Sequence, residues 1–393
     1  MKLLYFADTR FPIERANGAQ TMATCQALAR RGHQVTLYVR PDTASPQRDP
    51  FVFYDLPPVD RLEISYLTAP RGEHWRRATF LLSAALVAGR HRDALVYTRD
   101  LGLASFLTQL PSIRRPKLVY ESHGIAPIVS AEMPDLLGNG REKPSAAKLR
   151  RLERRERLVW TRATAYVTIT RALADDLSAR YGARPRVFVV PDGARADDAA
   201  RADDGDRATG PIAAYAGHLY PWKGVDVFVR ALALAPSVRG LIVGGHPGEP
   251  DRARIEQLAR DTGVFDRLEI TGLLPPTKVA AALAKATMLV LPNTASAISE
   301  RFTSPLKLFE YLQIGRPIVA SDLPALREVL TPQTALFVPP GDAPALAKAL
   351  ERLAADSVEC ASLAHAARAL APDYTWARRA ERLDAVFDAA MSR

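Results

Sequence analysis

The segment Val187-Phe-Val-Val-Pro-Asp-Gly193 closes one series of alternating strands and helices, and Ile212-Ala-Ala-Tyr-Ala-Gly217 opens another. Between them, residues 194–210 are rich in Ala, Arg, Asp and Gly and contain almost no large apolar residue. A polar stretch between two β-rich segments is typical of an interdomain linker. We therefore expect a first domain over residues 1–193, a linker over 194–210 and a second domain over 211–372.

Short β-rich runs alternate with helical stretches on both sides of this boundary. The predicted strands are 2–7, 34–39, 117–121, 165–169, 212–216, 241–245, 268–271, 288–291 and 317–321. This alternation predicts an α/β protein with two doubly wound parallel sheets. Because ligands of such sheets bind beyond the carboxyl ends of the strands, the strand-to-helix loops are the candidate functional segments.

Composition excludes several classes of protein. Hydrophobic residues make up 48% of the 393 residues and charged residues 24%, which is ordinary globular usage. The longest apolar run, residues 81–89, is about half of the ~20 residues that a membrane-spanning helix needs. Residues 1–7 are followed by Asp8 with no cleavage pattern, so they predict a first strand rather than a signal peptide and favour a cytoplasmic protein.

Cofactor and metal chemistry are not expected. Cys25 and Cys360 have no CxxC spacing, and no histidines are spaced as metal ligands. The GxGxxG and GxxxxGK[ST] fingerprints are absent, which counts against a nicotinamide dehydrogenase and a P-loop nucleotide hydrolase.

Basic residues exceed acidic ones by 53 to 43, for a net charge of +10 that favours anionic partners. The densest basic stretch is Lys148–Arg157, in which glutamates are interspersed. A solvated helical face with spaced ion pairs is the main interpretation. Contact with an anionic membrane surface is the alternative. Nucleic acid is not an expected partner, because no nucleic-acid-binding motif accompanies the charge.

The segment Glu300-Arg-Phe-Thr-Ser-Pro-Leu-Lys-Leu-Phe-Glu310 predicts a helix start, with Ser304 as N-cap and Pro305 as the first helical residue. A cation in the first turn, Lys307, opposes the helix dipole unless an anion occupies the exposed N–H groups of Leu306 and Lys307.

A phosphate fits that position. The carboxylate of Glu310, one turn further on, suits the two hydroxyls of a ribose. The alternative is that Lys307 and Glu310 form a surface ion pair.

Three other strand-end loops carry polar candidates. Gly217 turns the backbone after a strand, Lys223 enters the next helix as a point charge for a diphosphate, and His218 adds a donor. Taken in isolation, that segment favours a structural turn over a binding site. In the first half, Asn17-Gly-Ala-Gln20 precedes a helix, and His123 follows a strand in Glu121-Ser-His-Gly124.

Taken in order, these segments resemble the family 4 retaining glycosyltransferases, which have the GT-B fold. The matching pieces are Asn17-Gly18, Glu121–Gly124, Val190-Pro-Asp-Gly193, Gly217–Gly224, Val243-Gly-Gly245, Ser304–Tyr311 and Gly315-Arg-Pro317. The resemblance implies two Rossmann-like domains facing each other across a cleft. The first would bind the acceptor and the second the nucleotide-sugar. A helix over 377–391, within a closing segment 373–393, would cross back to the first domain.

The resemblance also implies roles for single residues. Glu310 would hold the ribose, while Lys223 and the amides of Leu306 and Lys307 would neutralise the diphosphate. Leu274 would lie against the nucleobase, and His123 would contact the donor sugar near its anomeric centre. Gly18 would let the first loop approach the phosphates.

Two positions depart from the family pattern. Phe302 stands where the first glutamate of the E-x7-E motif is expected, and Glu300 substitutes only if the loop shifts. His218 stands where an arginine is common. Because a neutral imidazole carries no positive charge, it binds phosphate more weakly than an arginine does.

The function that the resemblance implies is a retaining, hexosyl-type and metal-independent transfer from a UDP- or GDP-linked sugar. The acceptor would be a glycan or a lipid-linked saccharide, in surface polysaccharide or glycolipid biosynthesis. We expect a cytoplasmic protein that is peripheral to the inner face of the membrane. A catalytically silent nucleotide-sugar-binding or scaffold protein is the alternative, and an epimerase or a phosphorylase on the same architecture carries less weight.

Overall fold

Two parallel sheets organise the chain. The structure is a computed structural model that describes residues 1–67, 73–137, 142–196, 210–245 and 250–392. Internal contacts divide it into two units. The first contains Met1–Val129, Pro144–Asp192 and Trp376–Arg393, and the second contains Ser130–Lys143 and Gly193–Thr375.

The first unit is built on a seven-stranded sheet with the order β3-β2-β1-β4-β5-β6-β7. Its strands are β1 (Lys2–Arg10), β2 (Gln34–Arg40), β3 (Leu62–Tyr66), β4 (Leu95–Thr98), β5 (Leu118–Ser122), β6 (Ala165–Thr168) and β7 (Val187–Val189). Every pairing is parallel. The strand order reverses between β1 and β4, so this is the switch point of a doubly wound sheet.

Helices cover both faces of this sheet. They are α1 (Ala16–Arg30), α2 (Pro50–Phe53), α3 (Glu73–Arg90), α4 (Leu101–Thr108), α6 (Ala146–Arg162) and α7 (Arg171–Tyr181). Helix α5 (Ala126–Leu137) begins in this unit, and its residues from Ser130 onward belong to the second. Alternate strand residues such as Leu3, Tyr5 and Leu37 pack in one apolar cluster with α1 and the last helix of the chain. The neighbouring strand positions point to the opposite face, which is the period of two that a strand dictates.

The second unit repeats the plan with a six-stranded sheet of order β10-β9-β8-β11-β12-β13. Its strands are β8 (Ile212–Ala216), β9 (Arg239–Val243), β10 (Leu268–Ile270), β11 (Met288–Leu291), β12 (Ile318–Ser321) and β13 (Leu336–Val338). Its helices are α8 (Val225–Leu234), α9 (Pro250–Asp261), α10 (Pro276–Ala284), α11 (Ala297–Arg301), α12 (Leu306–Ile314), α13 (Pro324–Arg327), α14 (Ala343–Ala355) and α15 (Ser357–Leu370). The switch point lies between β8 and β11.

The predicted fold class is confirmed, because both halves are parallel, doubly wound α/β sheets. None of the described helices combines the length and the apolarity needed to cross a membrane.

The last helix, α16 (Trp376–Met391), belongs to the first unit and packs against α1. It therefore crosses back as predicted, although it begins at Trp376 rather than at residue 377. Its buried face carries apolar residues and one fully buried arginine, Arg379.

Arg379 fastens this helix to the carboxyl end of the first sheet. Its guanidinium lies 2.6 Å from a carboxylate oxygen of Glu121, which is also fully buried. It donates as well to the carbonyl oxygens of Val190 and Pro191, at 2.8 Å each. The guanidinium holds the pKa of the Glu121 carboxyl well below its usual range, against the opposing effect of burial.

Replacing Arg379 by Met should destabilise the protein by about 3–5 kcal/mol, because a buried charge loses its counterion. In a double-mutant cycle with Glu121→Gln, the second substitution should recover part of that loss. Urea denaturation measures both. The control is Arg378→Met, since its ion pair with Glu381 is half exposed and such pairs contribute about 0.2–1 kcal/mol. Equal losses for Arg378→Met and Arg379→Met would contradict the assignment.

Candidate functional site

The switch point of the second sheet is bordered by loops in which backbones approach closely. Gly217 follows β8 with φ of 132°, in the region that favours glycine. A Cβ on Gly244, beyond β9, would lie 2.1 Å from the Gly217 carbonyl oxygen. The two strand ends therefore meet where no side chain fits.

Lys307 reaches this place from the first turn of α12. Its side chain is buried, and its amino group donates a 2.9 Å hydrogen bond to the Tyr215 hydroxyl. The same nitrogen lies 4.0 Å from the centre of the Tyr215 ring. A Cβ on Gly217 would lie 3.5 Å from that nitrogen, so the glycine backbone lies next to the ammonium group. Lys307 is thus not half of a surface ion pair with Glu310.

A second lysine stands beside it. Lys223 ends a 3₁₀ turn over Pro221–Lys223 and precedes α8, so its predicted place inside the helix was wrong. Gly224, with φ of 71°, makes the junction, and a Cβ there would lie 1.7 Å from the Pro292 carbonyl oxygen. The backbone needs this left-handed glycine to bring Lys223 to the strand end before the helix starts.

Burial lowers the pKa of both lysines, and the charge of Lys223 lowers that of Lys307 further. Burial lowers the pKa of Lys223 to about 8. Burial and the neighbouring Lys223 charge together hold the pKa of Lys307 well below its usual range, although Glu310 raises it. Within the described residues, neither lysine has a carboxylate at ion-pair distance. Two such lysines at a strand end suit a ligand with negative charge, which restores the charged form of both.

The start of α12 differs in detail from the prediction. The N-cap position is held by Pro305 and not by Ser304, and no side chain caps the helix there. Pro305 therefore precedes the first helical residue, Leu306. The amides of Leu306 and Lys307 still head the helix, so the anion-binding potential of a helix N-terminus is kept. Glu310 follows half-buried on the same helix.

His218 belongs to a stack of three rings. Its ring lies 4.9 Å from that of Tyr220, which lies 4.7 Å from that of Trp222, with interplanar angles of 12° and 13°. The His218 carbonyl accepts a hydrogen bond from the Tyr215 hydroxyl, the same group that Lys307 contacts. The loop is thereby coupled to the Lys307 amino group through one tyrosine.

Two further predicted positions lie in apolar surroundings. Phe302 is 3% exposed and directly follows α11. Its side chain is therefore buried. Leu274 is partly buried and packs against the apolar cluster of the second unit.

In the first unit, His123 lies at the end of β5 beside the Arg379–Glu121 pair. Its Nε2 is 2.6 Å from a Glu121 oxygen, to which Gln20 also donates at 2.9 Å. Burial and the nearby Arg99 charge lower the pKa of His123. Because the Glu121 carboxylate only accepts, Nε2 carries the proton. The neutral ring then offers Nδ1 as an acceptor for a ligand hydroxyl.

Gly18 lies inside α1 and not in a loop before it, which corrects the prediction for Asn17–Gln20. A Cβ at Gly18 would lie 2.3 Å from the Tyr54 hydroxyl oxygen and 2.6 Å from a methyl carbon of Ile13. Close packing explains this glycine.

Tyr215 and Arg379 contribute to these arrangements, and sequence reasoning missed both. Tyr215 is the one residue with a polar group in the otherwise aliphatic run Ile212-Ala-Ala-Tyr-Ala216, and that contrast was the available signal. Arg379 lies among several arginines of the last helix, and nothing in the sequence distinguishes the buried one.

Two family models match the chain. The one described as Glycosyl transferase 4-like domain matches residues 17–193, and the one described as Glycosyl transferases group 1 matches residues 210–356. A D-inositol 3-phosphate glycosyltransferase of Nocardia farcinica is 31% identical over 299 residues, which cover 70% of this chain and 62% of that protein. The match to another, from Xylanimonas cellulosilytica, covers 58% of each at 31% identity. The chain thus spans about three fifths of the length of these relatives.

Solved structures share the fold over nearly the whole chain. A sucrose-phosphate synthase from Thermosynechococcus elongatus superposes with a TM-score of 0.79 at 20% identity, covering 98% of both chains. Anabaena HepE, in complex with UDP-glucose, gives 0.75 at 18% identity and covers 99% of both chains.

Two Rossmann-like sheets, with a cationic strand-end site in the second, define a protein of the GT-B class. Since the two family models together match most of the chain, it belongs to glycosyltransferase family 4.

The lysine pair predicts a pH dependence of nucleotide binding. UDP affinity should fall as pH rises through about 8, because Lys223 loses its proton there. Binding at that pH should take up protons, since the bound phosphates raise the lowered pKa values. Calorimetry in buffers of different ionisation enthalpy measures the uptake. Lys223→Arg, which stays charged, should bind UDP with less uptake and a weaker fall. A binding enthalpy that is the same in every buffer would mean that no protons are taken up. That result would contradict the lowered pKa values of the two lysines.

Gly224→Ala should cost more stability than Gly341→Ala, which serves as its control. Both glycines have left-handed φ, 71° and 79°, but only Gly224 has an atom in the way. The control should cost about 1–2 kcal/mol for its backbone conformation alone. Gly224→Ala should cost more and also weaken UDP binding, because Lys223 is displaced. Urea denaturation measures the stability of the two variants, and calorimetry measures their UDP affinity. Equal stability and equal affinity would refute the claim that the backbone approaches too closely at Gly224 for a side chain.

Proposed function

We propose that the protein is a retaining, hexosyl-type glycosyltransferase that uses a UDP- or GDP-linked sugar. The observation that carries this proposal is the pair of lysines, Lys223 and Lys307, at the switch point of the second sheet. Family membership and the UDP-glucose bound by Anabaena HepE support the nucleotide-sugar class.

Cleavage of the sugar–phosphate bond builds negative charge on the diphosphate. Lys223, Lys307 and the first amides of α12 would stabilise that charge, and such fixed cations are the usual large contribution to catalysis. No metal ion is then needed for the leaving group. Gly217 leaves room for the phosphates beside Lys307, and the coupled His218 loop keeps Tyr215 in place.

Three more residues complete the donor site in this proposal. The carboxylate of Glu310, one turn beyond Lys307, would accept hydrogen bonds from the two ribose hydroxyls. Leu274 would lie against the base. Nδ1 of His123 would accept a hydrogen bond from a hydroxyl of the donor sugar, since its Nε2 already donates to Glu121. The leaving phosphate oxygen would take the acceptor's proton on the same face, which retains the configuration and requires no protein base.

We propose a glycan or a lipid-linked saccharide as the acceptor, bound by the first unit, in surface polysaccharide or glycolipid biosynthesis. The protein would work in the cytoplasm, peripheral to the inner face of the membrane. The relatives support the transfer class but differ in acceptor: their names include D-inositol 3-phosphate glycosyltransferase and 2-deoxystreptamine glucosyltransferase.

The second candidate is a catalytically silent nucleotide-sugar-binding protein, which Phe302 favours because it replaces a glutamate of the family motif. Both candidates bind the donor, and only the enzyme turns it over. Release of UDP from UDP-glucose in the presence of a cell extract as acceptor source separates them.

A thermal-shift screen against UDP, GDP, ADP and TDP and their sugar conjugates tests the donor site. One nucleotide series should raise the melting temperature, since a ligand at a hundred times its Kd adds about 2.7 kcal/mol. Glu310→Ala should abolish most of the shift. The control is Glu269→Ala, on the exposed side of β10, which should leave it unchanged. Failure of every nucleotide to stabilise the wild-type protein would contradict the proposal.

A further inference from the structure

Helix α3 exposes apolar side chains where a surface helix normally exposes charged ones. Trp75 is 74% exposed, Leu82 58% and Leu86 62%. Their spacing puts them on one face, on which Ala78 and Gly89 are also exposed. The opposite face, with Phe80, Ala84 and Ala88, is buried against the first sheet. Apolar residues on both faces of a helix indicate that its outer face has a partner.

The neighbouring helix α6 exposes a row of cations. Lys148, Arg150, Arg151 and Arg154 are all exposed. The predicted ion pairs along this helix are not formed, because its glutamates are engaged elsewhere. Glu153 pairs with Arg180 of α7 at 2.7 Å. Buried Glu156 accepts hydrogen bonds from the Ala126 amide and the Tyr166 hydroxyl. In the part of the chain that the structure describes, no carboxylate pairs with the exposed row.

The two surfaces lie on the same side of the first unit. α3 packs against α4, and α4 packs against α6, so the three helices form one layer over the sheet. Burial, Arg151 and then Arg77 of α3 lower the pKa of Arg155 of α6, so the charge of Arg77 acts across the layer on this helix. The apolar face of α3 and the cationic row of α6 are therefore outer surfaces of the same helix layer, with α4 between the two helices.

We propose that this face, Trp75, Leu82 and Leu86 of α3 with Lys148, Arg150, Arg151 and Arg154 of α6, docks the protein on an anionic lipid bilayer. The apolar side chains enter the boundary between headgroups and acyl chains, as amphipathic helices do at interfaces. The cations contact the lipid phosphates, each contributing about 1 kcal/mol near such a surface. Trp75 suits the headgroup level, because one end of its ring is apolar and the other donates a hydrogen bond.

Charge favours a bilayer over a second copy of the chain. Each copy carries a net charge of +10, and a two-fold interface on this face would bring the two cationic rows together. An anionic surface instead complements the row and covers the apolar face.

This inference rests on the membrane location in the proposed function and adds to it an apolar docking element. It is independent of the donor chemistry. Nucleotide binding by the second unit therefore serves as the check that each variant is folded, and a failure of docking leaves the transferase proposal standing.

Sedimentation of the full chain with lipid vesicles tests the inference. Vesicles of phosphatidylcholine containing phosphatidylglycerol should bind the protein, and pure phosphatidylcholine should bind it far less. Arg150→Glu/Arg151→Glu/Arg154→Glu should lower partitioning by roughly a hundredfold or more. Leu82→Glu/Leu86→Glu should lower it by more than about tenfold. UDP stabilisation should be retained in both.

The controls carry matched changes on the second unit. Arg230→Glu/Lys278→Glu/Lys285→Glu reverses the same number of exposed charges, and Val358→Glu alters an apolar residue that is 78% exposed. Neither should lower partitioning by more than about threefold, apart from the general effect of net charge.

Tryptophan emission distinguishes insertion from charge attraction alone. Binding to the anionic vesicles should shift the emission to the blue and make it sensitive to brominated acyl chains, and Trp75→Phe should remove both effects. Absence of partitioning, or partitioning unaffected by Leu82→Glu/Leu86→Glu, overturns the proposal. A lipid-free dimer that these substitutions convert to a monomer overturns it in favour of self-association.

Discussion

The second unit depends on a buried lysine, Lys307, which has no carboxylate at ion-pair distance among the residues that the structure describes. Lys307 is held by a neutral phenol, Tyr215, and faces a second lysine whose pKa is lowered to about 8. Such an arrangement is costly in the absence of an anion, since burial disfavours both charges. The glycines around it make sense in this light. A Cβ on Gly244 would collide with the Gly217 carbonyl oxygen and one on Gly224 with that of Pro292, while Gly217 lies next to the Lys307 amino group.

The first unit uses the opposite solution at its own strand ends. There a buried carboxylate, Glu121, receives a full counterion from Arg379 as well as hydrogen bonds from Gln20 and His123. This network fixes the last helix to the first sheet and sets the tautomer of His123. One unit is thus electrostatically complete at its strand ends, and the other is complete only with a ligand. That contrast supports the proposed binding of the donor by the second unit.

The sequence predicted the two-sheet fold because strand and helix periodicities are local properties. It also indicated Lys223 and His123, which follow strands closely, and Lys307, which lies in the first turn of a helix whose start the sequence marks. It misplaced details that depend on tertiary contacts: the cap of α12, the start of α1 and the position of Lys223 before α8. It did not indicate the role of Arg379, because burial distinguishes that arginine from its neighbours only after folding. The exposure of the outer face of α3 was missed for the same reason, because an apolar helix is expected to be buried.

Lysine NMR tests the central claim most directly. With ¹³C-labelled lysine and assignment by Lys307→Arg, the ε-carbon resonance reports whether the Lys307 amino group is charged. The account predicts a resonance that titrates well below the usual lysine range in the free protein, and a rise in that pKa when UDP is added. A Lys307 that is charged throughout and unchanged by UDP would contradict the claim that the second unit awaits an anionic ligand at this amino group.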